Sequence, residues 1–69
     1  MDDILQDVGE SMREYREHVG ATQREVADYI GVTPQAISQF ERGKSNSLRL
    51  YVRYRDYIDG LEYDRRLVV

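Results

Sequence analysis

Sixty-nine residues make one domain, too small for a deep enclosed cleft. No cysteine is present, so there is no disulfide framework and no thiolate metal site. The formal net charge of −3 argues on its face against a nucleic-acid partner. No apolar run is long enough for a membrane span or a secretory signal, which fits a cytoplasmic, nucleoid-associated location. One histidine, no thiol and no glycine-rich phosphate loop leave no constellation for catalysis, so no enzyme, metal or cofactor is expected.

The charge is unevenly spread. Residues 1–17 carry Asp2, Asp3, Asp7, Glu10, Glu14 and Glu17 against Arg13 and Arg16, and read as a solvated acidic face. Residues 42–55 carry Arg42, Lys44, Arg49, Arg53 and Arg55 with no acid. With a Debye length of about 8 Å at physiological salt, a phosphate near the basic stretch feels little of the acidic one.

In chain order, Ile4, Leu5, Val8, Met12, Tyr15 and Val19 recur at steps of three and four, predicting a first helix from about Asp3 to His18. Gly9 weakens its middle by roughly 1 kcal/mol relative to alanine, so the first turns are expected to fray as a separate piece. Gly20 ends this helix. Thr22 then caps the next, with Glu25 three residues on completing a capping box.

The most informative stretch is Gln23–Arg42. Val26, Ala27 and Ile30 give one apolar helical face, and Gly31 follows where a chain leaving a helix needs positive φ. Val32 is an apolar plug under the turn. Thr33 is a good N-cap, and Pro34 takes the first helical position, where its missing N–H costs nothing. Ile37 and Phe40 point back at Val26 and Ile30, and Ala27 is small enough to let the second helix cross closely. The outer face is then Pro34, Gln35, Ser38, Gln39 and Arg42: polar, amide-rich and free of acid, as a helix that reads base edges should be. The pattern predicts a helix-turn-helix with its recognition helix at about Thr33–Glu41.

After Gly43 and the polar loop 44–47, a fourth helix is predicted from about Ser47 to Asp59, with Leu48, Tyr51, Val52 and Ile58 inward and Gly60 breaking it. Residues 61–69 read as a short helix, a strand or a loose tail. Leu50, Tyr54, Tyr57 and Leu61 form a second apolar stripe at i, i+4, i+7 and i+11. That stripe reads either as a dimer or partner surface or as a face covered by the tail.

Residues 8–58 resemble the Cro and phage-repressor family of helix-turn-helix domains. The matching features are the R-x-x-R of Arg13 and Arg16, the G-x-T-Q of Gly20–Gln23, the V-A-x-x-I-G-V of Val26–Val32 and the I-S-x-x-E-R-G-K of Ile37–Lys44. The resemblance implies an all-α, lambda-repressor-like bundle of four to five short helices, one domain over 1–69 with 59–69 as a C-terminal tail. It also implies binding of double-stranded operator DNA, usually as a homodimer.

The residue roles follow singly from that resemblance. Gln23 would touch a phosphate at a helix N-terminus, and Arg42, Lys44 and Arg49 would supply further phosphate contacts. Thr33, Pro34, Gln35, Ser38 and Gln39 would read bases. A glutamine can bond adenine bidentately, whereas Pro34 stands where the family often has glutamine, leaving only an apolar contact with a thymine methyl. Arg16 and Glu41 would form a buried structural salt bridge. The leading expectation is a sequence-specific transcriptional regulator of phage or prokaryotic origin. The other reading, motivated by the acidic charge and the second stripe, is a small modulator that binds a repressor protein, as an antirepressor or co-repressor does.

Overall fold

A computed structural model describes the backbone of residues 2–68 and the side chains of residues 4–64. The carboxylates of Asp2 and Asp3 and residue 69 of the tail therefore lie outside the described residues. Four helices follow one another: α1 (Asp2–Val19), α2 (Gln23–Ile30), α3 (Pro34–Glu41) and α4 (Leu48–Val68). Among the described residues there is no strand.

Local signals set the middle of the chain. Thr22 accepts from the Glu25 N–H at 3.1 Å while the Glu25 carboxylate accepts from the Thr22 N–H at 2.9 Å, closing the capping box. Thr33 does the same duty for α3, accepting from the Ala36 N–H at 3.2 Å, with Pro34 in the first turn. The helix α3 ends through Gly43 at φ +77, where the Lys44 N–H bonds the Gln39 carbonyl at 2.9 Å and the Gly43 N–H bonds that of Phe40 at 3.0 Å.

The core consists of Met12, Ala21, Val26, Ala27, Ile37, Phe40, Leu50, Tyr54 and Ile58, drawn from all four helices and the α1–α2 turn. Helix α3 packs on α1 and α2, while α4 packs on those same two helices from its own side. This leaves the outward side of α3 uncovered: Thr33, Pro34, Gln35 and Gln39 are all exposed.

Four expectations are corrected. First, α1 does not break at Gly9. A Cβ there would lie 2.5 Å from the Phe40 carbonyl oxygen and 2.6 Å from that of Glu41, so the glycine lets α1 press onto the end of α3. Second, α4 runs through Gly60 to Val68, because Tyr57, Ile58 and Leu61 pack around that point and offset the cost of about 1 kcal/mol. Third, of the expected inward face of α4 Ile58 is buried and Tyr51 packs against the core, but Leu48 and Val52 point outward and the other stripe turns in. Leu48 and Val52 are 73% and 48% exposed, whereas Leu50 and Tyr54 are buried and Tyr57 and Leu61 pack against the core. Leu50 and Tyr54 thus belong to the core, with Tyr57 and Leu61 partly buried against it: a tyrosine can enter a core when its hydroxyl finds a partner, and Tyr54 finds Glu41. Fourth, Val32 does not plug the turn; it is 37% exposed.

Candidate nucleic-acid interface

The organising group of the site is a buried carboxylate. Glu41 sits at the C-terminal end of α3 with only 3% of its side chain exposed, against 10% for Arg16. Arg16 donates from Nε to Glu41 Oε2 at 2.8 Å and from Nη2 to Oε1 at 3.2 Å, a forked pairing suited to guanidinium. Its Nη1 donates to the Ala21 carbonyl at 2.9 Å, which ties the α1–α2 turn to the same point. Gln23 Nε2 donates to Glu41 Oε1 at 3.0 Å, and the Tyr54 hydroxyl donates to Oε2. All four helices therefore meet at one carboxylate.

Burial pushes the Glu41 carboxyl up, but the hydrogen bonds from Arg16, Tyr54 and Gln23 and the charge of Arg16 together outweigh it and leave the group below its ordinary value of 4.5. The Tyr54 hydroxyl is raised, first by burial and then by its bond to Glu41. Because the folded-state Glu41 value is depressed, its contribution is complete above about pH 4.5 and is lost as pH falls through the folded value. Thermal unfolding followed by circular dichroism should show a midpoint that drops below about pH 4.5. In Glu41→Gln, whose midpoint is lower at neutral pH, that acid-induced drop should shrink.

Around this hub the sequence-expected residues fall into three places. Gln23, Ser38 and Arg42 line a cleft of about 280 Å³ with Arg13, Arg16, Glu17 and Glu41. One amide hydrogen of Gln23 is committed to Glu41, which fixes the side chain and leaves the second hydrogen for an outside acceptor. Arg42 also borders a second cleft of about 520 Å³ with Lys44, Asn46 and Gln6. Arg49 lies apart from both, beside Arg53 against the α2–α3 turn at Ile30–Val32. On the outward ridge of α3, Gln35 and Gln39 are exposed and Ser38 is half-buried.

Sequence reasoning assigned no role to Arg13, Gln6 and Asn46. Arg13 had a visible signal: it is the outward member of the R-x-x-R pair whose other member is consumed by Glu41. It carries an exposed bridge to Glu17 at 3.7 Å, a weak contact that leaves most of its donors free for other acceptors. Gln6 had none. Only the close approach of Gly43, where a Cβ would lie 2.7 Å from the Gln6 Cα, brings α1 beside the basic loop.

Among the described residues no helix is long and apolar enough to cross a membrane, and no cluster of His, Cys, Asp or Glu is arranged to hold a metal ion. In comparisons with known proteins, no curated protein and no solved structure matches the chain. A helix-turn-helix family model matches residues 12–48, more than half of the chain and all of α2, the turn and α3. The chain therefore belongs to the Cro/C1-type helix-turn-helix family of DNA-binding regulators.

Proposed function

We propose that the protein is a sequence-specific transcriptional regulator, Cro- or repressor-like and of phage or prokaryotic origin, acting as a homodimer on double-stranded operator DNA. The observation that carries this reading is the outward amide ridge of α3. Gln35 and Gln39 are exposed, one helical turn apart, and no acidic side chain of α3 stands among them, Glu41 being buried. In the bound state Thr33, Pro34, Gln35, Ser38 and Gln39 enter the major groove. Gln23 and Arg42, joined by Arg13, hold one phosphate, and Lys44 and Arg49 hold flanking ones. Two copies of α3 about 34 Å apart match successive turns of the duplex.

The test is selection of bound sites from random DNA followed by footprinting with the Gln35→Ala/Gln39→Ala variant. Operator preference should fall by roughly 10- to 100-fold for each lost bidentate pair, while the unfolding midpoint stays near wild type. An unchanged footprint overturns the assignment of the reading helix. The other reading, a modulator that binds a repressor protein, draws on the net charge of −3 and the acidic N-terminal half, whereas Tyr54 of its stripe is buried and Tyr57 packs against the core. Salt titration separates the two: a DNA binder loses affinity steeply as salt rises.

A further inference from the structure

The cleft of about 280 Å³ beside the buried hub contains one charge that works against a phosphate. Of its lining residues, Arg16 and Glu41 neutralise each other in the interior. Arg16 directs Nε and Nη2 to that carboxylate and Nη1 to the Ala21 carbonyl. The charges left facing solvent are Arg13, Arg42 and Glu17. Arg42 makes no ion pair among the described residues, whereas Arg13 Nε lies 3.7 Å from Oε2 of Glu17, one turn further along α1.

The stability of α1 does not account for Glu17. It stands in the last turn of α1, the end of a helix at which the dipole disfavours an anion. Arg13 also precedes it in the pair, the weaker of the two orders for residues four apart. Both side chains are more than half exposed, at 57% and 54%, so the bridge contributes little to the fold. What the carboxylate does engage is the guanidinium that a phosphate entering the cleft would use.

We propose that Glu17 is a built-in competitor for phosphate: it holds Arg13 in the free protein, and a duplex must displace it to bring a phosphate against Arg13, Arg42 and Gln23. The inference deepens the proposed DNA-binding function and rests on that reading. Displacement costs little, because the pair is exposed and Gln23, committed to Glu41 by one amide hydrogen only, adds a further donor to the phosphate. Once displaced, the carboxylate still belongs to the cleft wall and repels the phosphate beside it. Both effects act on the phosphate and not on a base. Glu17 therefore lowers affinity for any duplex alike and damps the sequence-independent part of binding.

Fluorescence anisotropy with a duplex of about 20 base pairs and arbitrary sequence, read from about 50 to 200 mM salt, tests this without knowledge of the operator. Glu17→Gln should bind roughly three- to tenfold more tightly than wild type, from a released weak bridge and a removed repulsion, with an unchanged unfolding midpoint. Arg13→Gln should bind more weakly, with a salt slope shallower by about 0.9. In the Arg13→Gln background the gain from Glu17→Gln should shrink to about twofold or less, since the competition has lost its object. Glu14→Gln removes the same charge from α1 outside the cleft and should change affinity by no more than about twofold. A Glu17→Gln protein that binds like wild type overturns the inference. So does a gain equally large in Glu14→Gln, or one undiminished without Arg13, because net charge would then explain it. Those results leave the DNA reading intact, since each is read from a bound duplex. Absence of salt-dependent binding in every variant is the distinct result that sinks the DNA reading, and this inference with it.

Discussion

Replacing Arg16 by methionine is expected to cost about 3–5 kcal/mol, because it strands the Glu41 carboxylate in the core without its forked partner. A domain of 69 residues has only roughly 3–10 kcal/mol to lose, so the variant should be largely unfolded at 37 °C. Glu41→Leu should be comparably damaging, since it leaves the guanidinium buried and unpaired and also removes the acceptor of Gln23 and Tyr54. The double variant Arg16→Met/Glu41→Leu should lose clearly less than the sum of the two, as buried pairs replaced together by apolar groups often do. Urea unfolding of the four proteins checks this. Additive losses, or a single Arg16→Met loss under about 1 kcal/mol, contradict a desolvated pair at that point.

The second large effect concerns two helical glycines and has opposite signs. On propensity alone, either glycine replaced by alanine within a helix gains about 0.5–1 kcal/mol. At Gly60 nothing lies within 4 Å of the new Cβ, so Gly60→Ala should be stabilising by about that amount. At Gly9 the new methyl would meet the Phe40 and Glu41 carbonyls at 2.5 and 2.6 Å, both backbone atoms that cannot swing aside. Helix α1 must then lift from α3, and Gly9→Ala should cost about 1–3 kcal/mol net of the propensity gain. Because the lift occurs next to Glu41, it also loosens the Arg16 contact. Chemical denaturation of both variants decides the matter; two shifts of the same sign would mean that α1 does not press on α3.

Both glycines show where a one-dimensional pattern becomes ambiguous. Gly9 and Gly60 look alike in the sequence, each an isolated glycine in a helical pattern, and each reads as a weak point. What separates them is the presence of another helix's carbonyls, which spacing along the chain does not encode. The two stripes of α4 pose the same problem. Leu48/Val52 and Leu50/Tyr54 are both apolar, and period alone does not say which one meets the core. The deciding contact is a long-range one, the Tyr54 hydroxyl reaching the Glu41 carboxylate of α3. That bond satisfies a hydroxyl that would otherwise be costly to bury, and so is compatible only with the face of α4 that carries Tyr54 turned inward.

The middle of the chain, by contrast, was legible. Caps at Thr22 and Thr33, the proline after Thr33 and the glycine after Ile30 act on their immediate neighbours, so the boundaries of α2 and α3 follow from local chemistry. The outward character of Gln35 and Gln39 follows too, once Ile37 and Phe40 are committed to the inside. What only the tertiary structure decided was everything that depends on elements far apart in sequence. It set which face of α4 is core, why Gly9 must be glycine, and that Gln23 is held by Glu41. It also brought Arg13 into one cleft with Arg42. Helix ends are governed by hydrogen bonds reaching three or four residues, which a sequence displays directly. The choice between rival faces is governed by which buried polar group finds its partner, and that is settled only when the helices meet.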